Sequence, residues 1–113
     1  MALQLTDPSK TYEITHESGA IFTLRHWTLA MQDEVDSKCL KQADGKLDYD
    51  AGLERDMKLR MTVVGWTGVE MDGSPVPCTP DNVRLLPPGV AMWLIKDIDE
   101  RAGLRMKVSE KKN

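Results

Sequence analysis

The side chains best suited to metal or acid–base chemistry in this chain are two histidines and two cysteines. His16 and His26 flank a short segment rich in turn residues, whereas Cys39 and Cys78 lie far apart in the sequence. Tetrahedral metal sites usually combine Cys and His at close spacings such as C-x₂-C or H-x₃-H. Neither spacing occurs, although cross-strand pairing could bring the two imidazoles together. We therefore expect surface histidines, and no metal or cofactor.

Nucleophilic catalysis is the second chemistry to consider. It requires Ser or Cys beside a base and an orienting acid, and the sequence has no G-x-S-x-G motif. Cys39 fits a helix face as a small apolar residue. Cys78 precedes a predicted helix start, where the helix dipole could lower its pKa. The glycines at 65, 68 and 73 are not in phosphate-binding order. These patterns predict a protein that is not an enzyme.

The elements that would position these residues begin with a β-hairpin. Apolar and polar residues alternate over 11–15 and 21–25, and Gly19 in the connection can adopt positive φ. Thr28 is suited to cap a helix that runs to about Leu40. Because an isolated hairpin is marginally stable, helices are expected to cover one of its faces.

A second helix is predicted from a cap at Asp48 or Asp50 to about Val64, since apolar residues recur through it at helical spacing. The residues at 59–64 also alternate between apolar and polar types, so this part could instead be a strand. The helical period starts upstream, at Leu53, and favours the helix.

The following segment, 65–78, is predicted to be irregular, with a tight turn at Asp72–Gly73. Thr79–Asn82 has the features of a helix start, because a Thr cap is followed by Pro at the first helical position. This helix must be short, because Pro87–Gly89 would stop it.

The last helix is predicted from about Pro88 to Ala102, with Gly103 ending it. Its apolar residues form one continuous stripe, and Trp93 lies almost opposite that stripe. The acidic residues Asp97, Asp99 and Glu100 are interpreted as a solvated face. Together the elements predict an α+β fold, in which an N-terminal β-hairpin packs against three to four helices.

Composition limits the class of protein. The 113 residues are 41% apolar and 29% charged, which is typical of one globular domain, here 1–106, followed by a flexible basic tail at 107–113. The net charge is −3 and the basic residues are scattered, which argues against nucleic-acid binding. The sequence has no apolar run of about 18 residues and only two cysteines, so we expect a cytoplasmic protein that does not enter a membrane.

The stretch 63–86 contains four short motifs: Trp-Thr-Gly-Val, Asp-Gly-Ser-Pro-Val, Thr-Pro-Asp-Asn and a closing Leu-Leu. In these motifs the chain resembles the phage tail assembly chaperones, mainly over residues 60–102. The resemblance implies a non-enzymatic factor, made inside an infected or lysogenic bacterium, that coats the tape measure protein and helps to recruit tail-tube subunits. A helix-in-groove contact would cover the apolar stripes of such a partner reversibly.

The candidate contact surface combines the last helix with the segment around Trp66. Its residues are Trp66, Val69, Met71, Met92 and Trp93. Large aromatic side chains dominate many interfaces, but they also fill the cores of small domains, and burial is the commoner outcome. One alternative function is a structural virion component, such as a head–tail completion or tail terminator protein. Another is an enzyme or metal protein that uses His16, His26 and a cysteine. Homo-oligomerisation is left open.

Overall fold

The structure, a computed structural model, describes residues 2–104. The predicted tail at 107–113 lies outside the described residues. The described part is an α+β domain with a hairpin near its N-terminus and four helices, which confirms the predicted fold class. In chain order the elements are β1 (Thr11–Thr15), β2 (Ile21–Arg25), α1 (Leu29–Cys39), β3 (Leu40–Ala43), β4 (Lys46–Tyr49), α2 (Ala51–Thr62), β5 (Val63–Thr67), β6 (Glu70–Met71), β7 (Ser74–Pro75), α3 (Pro80–Val83) and α4 (Pro88–Arg101).

The main sheet has three antiparallel strands in the order β1-β2-β5. The predicted hairpin is confirmed at both strands, and β2 is its central strand. One face of the sheet carries Phe22 and Leu24, which are buried, whereas Thr11 and Arg25 on the other face are exposed. This difference follows from the period-two alternation of a strand that is covered on one side only.

Strand β5 corrects the prediction for residues 63–67. The second helix ends at Thr62, slightly before the predicted end at about Val64, and the chain then continues as a strand. Trp66 pairs with Phe22 across the ladder to β2, and an irregularity in register lies between Thr23 and Leu24. Local periodicity did not reveal this strand because its stability comes from pairing with a distant segment.

A two-stranded ribbon, β3–β4, was also not predicted; residues 43–46 were expected only to break the helix pattern. Asp44 and Gly45 form its turn with φ of 52° and 74°, as a two-residue hairpin turn requires. All eight strand residues are exposed. The backbone N–H of Asp50 donates to the carbonyl of Cys39 at 2.9 Å and closes the base of the ribbon. The ribbon therefore adds little to the core.

The helix starts follow the predicted capping residues. Thr28, Asp50 and Thr79 each accept a hydrogen bond from a backbone N–H three residues ahead, at 3.0–3.3 Å. The second cap is thus Asp50, and Asp48 belongs to β4. Gly103 follows α4 with φ of 74°, the left-handed conformation expected just after a helix.

The core lies between the covered face of the sheet and the helices. Its fully buried side chains come from the sheet and from α1, α2 and α4: Phe22, Leu24, Val35, Cys39, Thr62, Leu94 and Ile98. Within residues 2–104, no helix has the length and apolar character needed to cross a bilayer.

An ion pair is buried between α2 and α4. The Lys58 ammonium donates to the carboxylate of Asp99 at 2.7 Å, and the ammonium lies 5.4 Å from the centroid of the Trp27 ring. Asp99 is only 8% exposed, so the interpretation of this acid as part of a solvated face is wrong. At 100° per residue Asp99 lies next to Ile95 and Ile98 around the helix, and the packing of α2 brings a cation to meet it there.

Candidate functional site

Trp66 connects the main sheet to the β6–β7 hairpin. It lies opposite Phe22 on the covered face, with the two rings nearly perpendicular and 6.2 Å between their centroids. Its indole N–H donates to the carbonyl of Val76 at 2.8 Å. The predicted loop Trp is therefore a strand residue whose half-buried ring is held at both ends.

The β6–β7 hairpin is positioned by two tight backbone features. The predicted turn at Asp72–Gly73 is confirmed, with φ of 51° and 81°. Gly68 has φ of 75°, and a Cβ atom there would lie 3.2 Å from the Cα of Ala20. A side chain at Gly68 would therefore be strained and would crowd the β1–β2 turn, so glycine allows the hairpin to sit close to the sheet.

A small apolar groove lies beside Trp66, and we call it the Trp66 groove. It has a volume of about 80 Å³ and is lined by Trp66, Val69, Glu70, Met71, Val76, Asn82, Leu85, Leu86 and Pro87. Met71 and Leu85 are 48% and 64% exposed, which is high for large apolar side chains. The groove can admit about one apolar side chain, while the exposed residues provide further contact area at its rim.

Trp93 lies in a neighbouring groove. Its ring meets the His16 imidazole edge-on, with 4.8 Å between centroids, and lies 6.2 Å from the Phe22 ring. We call this the Trp93 groove; it is lined by Thr15, His16, Glu17, Pro87, Gly89, Val90 and Trp93. The side of α4 opposite the apolar stripe therefore packs against the β1–β2 hairpin, and Trp93 is half-buried there.

The structure brings together three of the five predicted contact residues. Trp66, Val69 and Met71 line the Trp66 groove, and Trp93 lines the adjacent Trp93 groove. Pro87 lines both grooves. Met92 is 48% exposed but lines neither groove, because it projects about 100° away from Trp93 around the helix axis.

Two important residues of the Trp66 groove were not predicted. Leu85 and Leu86 follow α3 and line the groove together with Glu70 and Met71 of β6. The Leu-Leu motif was noted in the sequence, but nothing local to it indicates that it meets the hairpin. Asn82 helps to set this approach, because its side-chain amide donates to the carbonyl of Pro77 at 2.9 Å.

The two histidines lie at opposite ends of the β1–β2 hairpin, so the cross-strand approach considered from the sequence does not occur. His16 is beside the turn, with its Nδ1 atom 2.8 Å from the Ser18 hydroxyl. His26 follows β2 and packs on Tyr12, with 4.7 Å between ring centroids. Across residues 2–104, no group of three or more His, Cys, Asp or Glu side chains is placed to hold a metal ion.

The cysteines are shielded from solvent rather than activated. Burial raises the pKa of the Cys39 thiol, and nearby carboxylates, led by Asp50, raise it further. Burial also raises the pKa of Cys78, which is opposite to the lowering that a helix N-terminus could have caused. The Cys78 sulfur lies against the Val63 carbonyl, at 3.8 Å, and the helix α3 that follows has only four residues. Neither thiol is set up as a nucleophile.

We expect both thiols to react slowly with iodoacetamide at pH 7.5, because the reagent attacks the thiolate and a raised pKa keeps the thiols protonated. Half-buried Cys78 should be modified before Cys39, which is fully buried. Mass spectrometry of peptides after timed alkylation would measure both rates, with the urea-unfolded protein as control. Modification of Cys78 as fast as free cysteine would contradict this expectation.

Both grooves are thus formed mainly by apolar and aromatic side chains, a composition suited to contact with another apolar surface. The chain matched no protein-family model, no curated protein and no solved structure.

Proposed function

We propose that this chain is a non-enzymatic assembly chaperone of a bacteriophage or prophage tail, acting in the cytoplasm of the host bacterium. Its partner is an apolar helical segment of a tape measure protein, and tail-tube subunits are a second class of partner. The observation that carries the proposal is the Trp66 groove with its exposed apolar rim. The sequence resemblance over residues 60–102 supplies the identity of the partner.

The shape and chemistry of the Trp66 groove favour a helix as its ligand. An amphipathic helix presents apolar side chains at i, i+3, i+4 and i+7 and can insert one of them while its neighbours cover the rim. Met71 is flexible and adapts to side chains of different shape. Trp66 is held by its hydrogen bond to Val76 and gives the groove a rigid aromatic wall of the kind that anchors interfaces.

The small size of the groove is consistent with reversible binding. A cavity of about 80 Å³ accepts one anchoring side chain, whereas permanent complexes usually bury a much larger apolar area. A long helical protein with uncovered apolar stripes aggregates, so a factor that covers them weakly keeps it soluble. Weak contacts can then be released when the tail tube assembles around the helix.

The rim residues provide a direct test of this proposal. Leu85→Asp is expected to weaken binding about tenfold or more, because burying an unpaired carboxylate against an apolar helix is unfavourable. The thermal midpoint should change little, since Leu85 is mostly exposed. The measurement is calorimetric titration with the tape measure protein encoded nearest to the gene for this chain.

Leu47→Asp is the matched control for this test. Leu47 is 71% exposed on the β3–β4 ribbon and lines neither groove, so the same change of charge there should leave binding intact. Equal effects of the two substitutions, or unchanged binding by Leu85→Asp, would contradict the proposed surface. A gene neighbourhood without phage tail genes would contradict the proposed function.

The oligomeric state distinguishes the chaperone from a structural virion component. A chaperone that covers a helix is expected to be a monomer or dimer in solution, whereas tail terminators and head–tail completion proteins act as closed rings. Light scattering coupled to size-exclusion chromatography gives the mass directly. A stable ring of about six copies would favour the structural role.

A further inference from the structure

Strand β1 is an open edge of the main sheet. The backbone N–H of His16 donates to the Ala20 carbonyl at 2.8 Å, which places these two residues at a hydrogen-bonding position of the ladder. Pairs of this kind alternate along an antiparallel ladder, so Tyr12 and Ile14 carry the bonds to β2. The peptide groups of the intervening residues, represented by Glu13 at the centre of the strand, therefore point away from β2.

These outward peptide groups belong to Thr11, Glu13 and Thr15. The ladder alternation turns their N–H and C=O groups away from β2, and within residues 2–104 these groups make no backbone hydrogen bond outside the ladder. All three residues are exposed. A row of free donors and acceptors on an edge strand is a template for one more strand. This edge can therefore accept an extended segment through main-chain hydrogen bonds.

The surroundings of β1 determine which side chains an added strand needs on its covered face. Alternate side chains of the new strand would lie on the same face as Tyr12 and Ile14. Next to Ile14 is a recess in which Trp93 provides apolar surface; it is lined by Ile14, Thr15, Trp93, Lys96, Asp97 and Glu100. Apolar side chains on this face of the new strand would therefore cover the Ile14 and Trp93 side chains.

The other face of the new strand would lie beside Glu13, which projects into solvent. Within residues 2–104, neither Glu13 nor Glu17, which follows the end of β1, takes part in a salt bridge. Glu100 at the recess is also without an ion pair, and Lys96 is the cation beside it. Opposite charges directly across a ladder are favourable, so Glu13 favours a basic residue opposite it in the new strand.

We propose that the β1 edge binds an extended segment of a partner protein in which apolar residues alternate with Lys or Arg. The segment adds to the main sheet as a fourth strand, its apolar side chains over Ile14 and Trp93 and its basic side chains beside Glu13. This mode of recognition differs from helix-in-groove contact at the Trp66 groove, and the proposal goes beyond the chaperone function above.

Other occupants fit the edge less well. A helix satisfies its own peptide groups and leaves those of β1 unpaired. A second copy of this chain could pair β1 with β1, but the antiparallel register with the greatest overlap places Glu13 directly opposite Glu13. Like charges in that position are destabilising, and such residues commonly prevent edge-to-edge pairing.

The test uses the full chain and two fluorescein-labelled nonapeptides. Valine alternates with lysine in one peptide and with glutamate in the other. We expect the lysine peptide to bind at least about tenfold more tightly than the glutamate peptide at low salt, with the difference reduced at high salt. Fluorescence anisotropy measures both affinities. Equal affinities, or no binding of the lysine peptide, would overturn the proposal.

Two substitutions at Glu13 separate the backbone from the charge. Glu13→Pro removes the outward N–H, which β2 does not use, and should weaken the lysine peptide about tenfold relative to Glu13→Thr. Both variants lose the same charge, and Thr retains the donor. Equal binding by the two would overturn strand addition. The Leu85→Asp variant should bind the lysine peptide with the same affinity as the wild type, because Leu85 lies in the Trp66 groove and not at the β1 edge. Loss of peptide binding at the β1 edge is therefore measured separately from loss of helix binding at the Trp66 groove. Thermal melting verifies that each variant is folded.

Amide hydrogen exchange followed by NMR gives the geometry of binding. In the free protein the amides of Thr11, Glu13 and Thr15 should exchange quickly, and the lysine peptide should protect them. Protection in the dilute free protein would mean that the chain itself already covers the edge, and protection that rises with protein concentration would mean self-pairing. Either result would overturn the proposal.

Discussion

Replacing Lys58 with methionine is expected to lower the free energy of unfolding by about 3–5 kcal/mol, which is typical when one partner of a buried ion pair is removed. The Lys58 and Asp99 side chains are 5% and 12% exposed, and they meet at 2.7 Å. Methionine fills similar space, so the main loss is the contact of the Lys58 ammonium with the Asp99 carboxylate. The contact between the ammonium and the Trp27 ring is lost as well. Urea unfolding followed by circular dichroism measures the change.

Two further variants show whether burial causes this loss. The double variant Lys58→Met with Asp99→Leu should regain most of the stability, since replacing both charges by apolar groups is often neutral or favourable. Lys38→Met removes the cation of an exposed pair with Glu34, and the expected cost is below about 1 kcal/mol. A similarly small cost for Lys58→Met would show that water screens the buried pair.

Phe22→Ala is expected to destabilise the domain by about 3–5 kcal/mol, the range for removing a large aromatic side chain from a core. Phe22 is 1% exposed and contacts both Trp66 and Trp93 through its ring. The cavity left by alanine would remove the shared support of these two indoles. Near-ultraviolet circular dichroism should therefore weaken together with stability, because both tryptophans lose a fixed environment.

Phe22→Leu is the control for this prediction, because it removes the aromatic ring but keeps an apolar side chain in place. Its expected cost is smaller, about 1–2 kcal/mol, and both grooves should keep their shape. If Phe22→Ala unfolds with a midpoint like that of the wild type, Phe22 is not the common support of Trp66 and Trp93.

Features set by a few neighbouring residues could be predicted from the sequence. The capping roles of Thr28 and Thr79 depend on one side chain and the next few backbone amides. The Asp72–Gly73 turn needs only two residues that tolerate positive φ. The first hairpin was predicted at the correct residues because its alternation and its turn lie in one short stretch.

Features that depend on distant segments could not be predicted in this way. Strand β5 forms because β2 provides its partner, and the preceding helix continues close to it without an obvious break in the pattern. The burial of Asp99 depends on Lys58, which is 41 residues away in the chain. In both cases tertiary contacts determine the outcome, and local periodicity alone does not specify them.

The residues of the candidate site also fall into those that could be predicted from neighbouring positions and those that depend on distant segments. Trp66, Val69 and Met71 were predicted as a group because they lie close together in the sequence, and all three line the Trp66 groove. Leu85 joins them only after the chain passes through α3 and returns. Trp93 was placed on the correct side of α4, opposite the apolar stripe, but sequence could not show that the first hairpin packs there.

The closed base of the β3–β4 ribbon has a consequence for variation in chain length. Because the Asp50 N–H meets the Cys39 carbonyl at 2.9 Å, α1 ends and α2 begins side by side whatever lies between them. Inserting or deleting whole cross-strand pairs near Asp44 and Gly45 would change the height of the ribbon and leave both helices in place. Evolution can therefore alter this protrusion freely, and an experimenter can attach a dye or an epitope at its tip while the core stays intact.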